Sequence, residues 1–183
     1  SIIKSQEFKK LSGTVNSQGI IAVFQIPRRA ALFEQIETNM FVCLENISDP
    51  GNVGTILRNC DWFGIDNIIL LKGCAEIYNP KTIRASMGAV FHLNIFNEIE
   101  FDSLSALKLK GYKILTADLK GKDINNFKFT GKSIIIFSNE ASGPSQNLIN
   151  ISDYLITIPK YGNAESMNVA SASAVILSRL KNN

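Results

Sequence analysis

Residues 40–71, MFVCLENISDPGNVGTILRNCDWFGIDNIILL, carry three structural signals in immediate succession. Positions 40–44 are a short apolar run without alternation, as expected of a strand buried on both faces. Pro50-Gly51 then interrupts the chain. Over 52–63, Val53, Ile56, Leu57 and Cys60 recur at i, i+3, i+4 and i+7, the stripe that an amphipathic helix buries. A second apolar run follows at 67–71. Strand, helix and strand, with both strands wholly apolar, form a βαβ unit and predict a parallel sheet.

The same alternation continues outward. Further strands are expected at 92–96, 112–116, 133–137 and 154–158, and helices at 80–89, 101–110, 145–150 and 168–180. The expected class is α/β, a mostly parallel sheet with helices on both faces. Before Met40 the pattern weakens to a helix at 1–11, a strand at 19–25 and a helix at 29–37, too little for a core of its own. Residues 1–36 are therefore expected to be an N-terminal extension or the remnant of a small domain, and residues 37–183 the principal domain. The chain begins at Ser1 rather than Met, which fits truncation or processing.

Composition narrows the function classes. With 183 residues, 45% hydrophobic and 19% charged, the chain is that of a folded protein. It can bury roughly 70% of its unfolded surface without a disulfide or metal. Three cysteines, an odd number, suggest a reducing compartment. No apolar run reaches the roughly 20 residues of a membrane span and no signal-peptide pattern is present, so a cytoplasmic location and no membrane partner are expected. A net charge of +3 is compatible with an RNA partner without requiring one.

The only histidine is His92, read at the start of a strand, and no Cys-x-x-Cys occurs, so no metal site is expected. Cys43 lies in a strand and Cys60 on the buried helical stripe, positions of structural rather than nucleophilic thiols. Neither a P-loop nor a Gly-x-Gly-x-x-Gly fingerprint is present.

Chemistry concentrates in three polar clusters, each following an expected strand. They are 45–54 with Arg58, 138–144, and 159–168. Singly, each reads as a turn or helix cap. Jointly they converge, because parallel sheets bind ligands beyond the carboxyl ends of their strands. Arg58 lies off the buried stripe on the face of Gly54, whose missing side chain is expected to leave room for a ligand.

These clusters carry a specific resemblance. Asn52-Val53-Gly54 with Arg58, then Asn139-Glu140 with Gly143, then Ile158-Pro159 with Ser166-Met167-Asn168-Val169, resemble the three ordered motifs of the SpoU family. These are RNA ribose 2′-O-methyltransferases of the SPOUT superfamily, and the likeness spans about 40–180. The stretch LSGTVNSQGIIAVFQIP (11–27) resembles the end of the small RNA-binding domain often fused ahead of the catalytic domain. The resemblance implies a C-terminal trefoil knot, which general topology rules disfavour. It further implies a homodimer, S-adenosylmethionine as cofactor, and rRNA or tRNA as substrate.

Carried over by position, the resemblance implies cofactor contacts from Leu115, Thr116, Ala117, Ser138, Asn139, Glu140, Gly143, Ile158, Met167 and Asn168. Ser138 stands where the family usually has glycine, and Met167 where it more often has leucine. The implied catalytic group is Arg58, Asn52, Glu140, Ser166 and Asn168. A guanidinium keeps its proton, so Arg58 suits a bidentate grip on the target phosphate better than the part of a base. With Arg58, the basic side chains of Arg28, Arg29, Lys72, Lys81 and Arg84 are the candidates for RNA phosphate contacts, with an ordinary solvated face as the alternative for each. The competing readings are a SPOUT base methyltransferase, an inactive RNA-binding paralogue and a flavodoxin-like ligand-binding domain.

Overall fold

The computed structural model describes residues 2–12, 19–23, 25–26 and 36–181. The chain divides at Leu32 into two units. In the first, α1 (Ser5–Ser12) takes up the expected N-terminal helix. The described residues of 19–25 form no strand, contrary to expectation. Most of the helix expected at 29–37 lies outside the described residues.

The second unit is built on six strands: β1 (Met40–Glu45), β2 (Asn67–Leu71), β3 (Asn94–Ile99), β4 (Lys113–Asp123), β5 (Ser133–Ser138) and β6 (Tyr154–Thr157). Their spatial order is β3-β2-β1-β5-β4-β6, and every neighbouring pair is parallel. The connecting helices are α2 (Pro50–Trp62), α3 (Pro80–Ser86), α4 (Leu104–Leu109) and α5 (Gln146–Ile151), and α6 (Val169–Lys181) follows β6.

Alternate residues of each strand serve opposite faces. Val42, Leu44, Ile68, Leu70, Ile135 and Phe137 join Val53, Ile56, Leu57 and Cys60 of α2 and Ile176 and Leu177 of α6 in one core. Phe41, Cys43, Ile69, Ile134 and Ile136 join Leu104 and Leu107 of α4 and Leu148 of α5 in the other. Burial on both sides explains the unbroken apolar strands.

Several boundaries differ from the sequence expectation. Residues 80–89 end as α3 at Ser86, where Met87 (φ 51°) takes a left-handed turn ahead of a 3-10 turn at Ala89–Phe91. His92 follows that turn, so β3 begins two residues later, and the exposed imidazole Nδ1 faces Asp61 Oδ2 at 3.2 Å. The region 101–110 starts as a 3-10 turn before α4.

The largest departure is β4, which runs on to Asp123. Its register against β6 jumps, so that Ala117 and Lys122 both pair with Ile156. The chain crosses over β6 at Gly121, where a Cβ would stand 2.6 Å from Ile156 Cα. Only glycine permits that approach. Among the described residues no helix is long and apolar enough to cross a membrane.

Candidate functional site

The sheet order reverses at the pair β1 and β5. β2 and β3 extend to one side, β4 and β6 to the other, and the carboxyl edge of such a switch point is where parallel sheets hold ligands. Glu45 and Ser138 end the two central strands as registered partners. The Glu45 carboxylate is only 4% exposed. It accepts hydrogen bonds from Ser138 Oγ at 2.8 Å, from the Ser145 amide at 3.1 Å and from Ser145 Oγ. Ser145 in turn caps α5 through Leu148 N. One buried carboxylate thus pins both ends of the loop 138–145, satisfying its own cost of burial with three donors.

Beyond this edge lies a cavity of about 420 Å³, within the size range of small-molecule sites. One wall is Ala117 to Lys120, and the next is the loop Ser138 to Pro144. Ile156 to Lys160 and Ala164 to Met167 continue it, and Val169, Ala172 and Ile176 of α6 close it. Asn139 shapes its loop: Oδ1 accepts from Ala141 N at 2.8 Å, and the Gly143 amide donates back to Asn139 O at 2.8 Å with Gly143 at φ 66°. The lining mixes apolar residues such as Ile156, Ile158, Val169 and Ile176 with polar ones such as Ser138, Asn139 and Glu140.

At the mouth the three sequence clusters meet. Glu140 Oε2 accepts from Val169 N at 2.8 Å, and Asn168 Oδ1 accepts from Ala170 N at 3.0 Å and Ser171 N at 3.3 Å. These bonds satisfy amides at the start of α6 that have no intrahelical partner. The Asn168 amide also donates to Asn52 Oδ1 at 2.9 Å and to Glu140 Oε2 at 3.3 Å. Asn52 stands in the first turn of α2, which Asp49 caps through Asn52 N at 2.9 Å. Lys81 and the Asn52 amide hold the Asp49 carboxyl below its ordinary range.

Of the implied cofactor contacts, Ala117, Ser138, Asn139, Glu140, Gly143, Ile158 and Met167 line the cavity, as does Ser166. Leu115, Thr116 and Asn168 do not. Leu115 and Thr116 are fully buried, and the Thr116 and Ser152 hydroxyls share a hydrogen bond, so the wall begins one residue later. Asn168 is taken up by the cap of α6 and the bond to Asn52. Sequence reasoning placed Glu45 in the first cluster without giving it a role and stopped the second cluster one residue short of Ser145, although a carboxylate ending an apolar strand was the available signal. It also missed Asp118, Leu119 and Lys120, because the long β4 leaves no periodic trace, whereas Pro159, Lys160, Ala164 and Glu165 fall within the third cluster and line the cavity without having been singled out as contacts.

Gly54 has a different reason from the one expected. Its Cβ would stand 2.7 Å from Ala85 Cβ and would meet the Thr82 carbonyl, so the missing side chain admits α3 rather than a ligand. Arg58 is exposed on α2, outside the cavity lining, with no hydrogen bond or ion pair among the described residues. Arg84 is likewise exposed and unpaired among them. Lys72 pairs with Glu100 and Lys81 with Asp49. Arg28 and Arg29 lie outside the described residues.

Thiol chemistry finds no support here. Burial pushes the thiols of Cys43 and Cys60 up, and that of Cys74 to about 11, so the nucleophilic thiolate is suppressed. Among the described residues no three His, Cys, Asp or Glu side chains gather where a metal would sit.

Fold and cavity together define a class, the parallel α/β proteins with a ligand cleft walled by their last strands and C-terminal helix. A TrmH-family protein from Porphyromonas gingivalis matches with TM-score 0.86 and 30% identity over 96% of this chain and 71% of its own. The SpoU methyltransferase AviRb of Streptomyces viridochromogenes, solved in complex with the cofactor AdoMet, matches with TM-score 0.74 and 28% identity, over 81% of this chain and 62% of its own. The chain belongs to the SpoU rRNA methylase family, whose model matches residues 39–178. It is 31% identical to the Bacillus subtilis 23S rRNA (guanosine(2553)-2′-O)-methyltransferase RlmP, over 98% of this chain and 71% of that protein. Against the 23S rRNA (uridine(2479)-2′-O)-methyltransferase of Streptomyces viridochromogenes the identity is 30%, over 86% of this chain and 58% of that protein.

Proposed function

We propose that this chain methylates the 2′-hydroxyl of a ribose in ribosomal RNA, with S-adenosylmethionine as donor. The observation that carries the reading is the hydrogen-bonded set Asn52, Asn168 and Glu140, which joins the three motif segments at the mouth of the cavity. When bound, the cofactor supplies an electrophilic methyl group. The loop pinned by Glu45 and the segments 117–120 and 156–160 hold and orient the nucleoside part, and Met167 and Ile176 exclude water from the aliphatic arm. Arg58, fixed in its protonated form, grips the phosphate beside the attacking hydroxyl and favours negative charge developing on that oxygen. Holding both reactants in this way can supply roughly 7–11 kcal/mol of the barrier.

The reading extends to a trefoil knot, supported by the crossing of Gly121 over Ile156 and by the double pairing of Ile156. It also extends to a homodimer, since α2 and α6 leave Arg58, Trp62 and Val175 exposed. The decisive experiment incubates the protein with labelled S-adenosylmethionine and total RNA, then maps alkali-resistant linkages. Label at a 2′-O-methyl ribose is the expected result, and label on a base overturns the assignment.

A further inference from the structure

We propose that Asn46 is a positioning residue for the cofactor: its left-handed backbone sets a carbonyl against the side-chain amide of Asn139 and so fixes the interior of the loop 138–145. The inference rests on the S-adenosylmethionine reading above and adds a residue outside the cavity lining on which that binding depends.

Asn46 is the turning point of the first polar cluster. Within β1, Val42 and Leu44 face the core that holds α2, and Phe41 and Cys43 face the opposite one. Continued extension would put residues 45 and 47 on the side of Cys43. Ile47 nevertheless packs with Val42 and Leu44 and is 2% exposed. The change of face is made at Asn46, where φ is 53°. Asparagine is one of the few residues besides glycine found in this region, whereas a β-branched side chain is strongly disfavoured there.

The turn is held from both sides. Before it, Glu45 accepts from Ser138 and Ser145. After it, Ile47 O accepts from Ala75 N at 2.9 Å. The Asn46 side chain is exposed and reaches the turn after β2, where a Cβ on Gly73 would stand 2.6 Å from Asn46 Oδ1. Its backbone carbonyl serves the neighbouring strand end instead and accepts from Asn139 Nδ2 at 3.2 Å.

That bond decides which way the Asn139 amide faces. With Nδ2 on Asn46 O, Oδ1 is left to accept from Ala141 N at 2.8 Å and from Ser142 N at 3.3 Å. Glu45 fixes only the ends of the loop. Asn139 shapes the residues between them, and Asn139 to Gly143 all line the cavity, whereas Asn46 does not. Released from the carbonyl, the Asn139 amide is free to rotate, and its NH₂ group offers nothing to the loop amides that Oδ1 now holds. Asn46 therefore acts on the cofactor through Asn139.

Substitutions at position 46 separate backbone from side chain. Asn46→Gly keeps the left-handed turn and removes the side chain. Asn46→Val keeps a side chain and disfavours the turn, and Asn46→Ala lies between. Calorimetric S-adenosylmethionine affinity is measured well below each variant's unfolding temperature, where lost stability alone leaves affinity unchanged. Asn46→Val should bind about five- to tenfold more weakly than the parent, the scale of one neutral hydrogen bond. Asn46→Gly should recover affinity to within about twofold of the parent, with Asn46→Ala intermediate. Asn139→Ala should weaken binding in the parent and add less than about twofold in the Asn46→Val background, because the bond is already lost. Equal affinities in Asn46→Gly and Asn46→Val overturn the proposal, whether both are unchanged or both reduced. Losses that add to that of Asn139→Ala overturn it as well. If Asn46→Val does not fold, Asn46→Gly must still bind more tightly than Asn46→Ala, and the reverse order overturns the proposal. A parent that binds no S-adenosylmethionine overturns the cofactor reading itself, which distinguishes the two failures.

Discussion

The side-chain amide of Asn168 donates to Asn52 Oδ1 across 2.9 Å, joining segments 116 positions apart in the chain. The same residue caps α6 through Oδ1, so its structural and functional parts rest on different atoms. Asn168→Ala should lose about 1 kcal/mol of cap stability, or about 2–4 °C in Tm, together with most turnover. Asn168→Ser restores a capping oxygen but is too short to reach Asn52 and Glu140. Its Tm should return to near the parent value while turnover stays low; recovery of both would make Asn168 only a cap.

Gly121 should be intolerant of any side chain. Its Cβ would overlap the Ile156 backbone, which cannot rotate away as a side chain can. Gly121→Ala is expected to cost about 3 kcal/mol or more, at or beyond the upper end of overpacking penalties. Gly162 has open space around its Cβ position, and Gly162→Ala should change stability by less than about 0.5 kcal/mol. Denaturant unfolding of the pair measures the contrast, and equal stabilities would refute the close crossing.

That crossing also marks where sequence reading ended. The parallel sheet and its order of elements were legible because strands buried on both faces cannot alternate, and Val53, Ile56, Leu57 and Cys60 wrote the helix between them. The three polar clusters were legible because strand ends are where a parallel sheet meets its ligand. Gly121 carries no periodic signal, since its reason is the backbone of Ile156, distant in sequence. Gly54 was misread for a related cause: an absent side chain does not say what fills the space. Glu45 was read only as the start of a polar cluster, because the partners that give it a role, Ser138 and Ser145, lie about a hundred residues away.

The Glu45 arrangement makes its own prediction. Ser138 donates to a buried carboxylate, and hydrogen bonds to charged groups contribute about 1.5–3 kcal/mol. Ser138→Ala should destabilise by about that amount and weaken S-adenosylmethionine binding, because one end of the loop 138–145 is released. In a double-mutant cycle with Glu45→Gln the two changes should be non-additive by more than about 0.5 kcal/mol. Additive losses in denaturation would mean that the loop is held by other contacts.

Asp153 gives the pH dependence. Burial alone would raise its pKa, but the Ile114 amide at 2.9 Å and the ammonium groups of Lys113 and Lys108 outweigh this and hold the carboxyl below its ordinary range. A lowered folded-state pKa contributes stability that is complete above the unfolded value, about 3.9, and is lost as pH falls through the folded value. The stability difference between the parent and Asp153→Asn should therefore be constant from about pH 5 to pH 8 and shrink below about pH 4. Urea midpoints across this range test it, and a difference that grew on acidification would reverse the sign assigned here.

Arg58 carries the sharpest catalytic prediction. It is exposed, lies outside the cavity lining and has no partner among the described residues, so removing it breaks no observed contact. Arg58→Ala should leave Tm and calorimetric cofactor affinity nearly intact while lowering turnover about 100- to 1,000-fold, the usual cost of losing one group that stabilises developing negative charge. Arg58→Lys keeps the charge but not the planar fork, and a bidentate grip does not survive that exchange. Its turnover should fall well short of the parent even at saturating RNA. If lysine restored full turnover, point charge would suffice and the bidentate phosphate grip would be wrong; if alanine were fully active, Arg58 would have no part in the reaction.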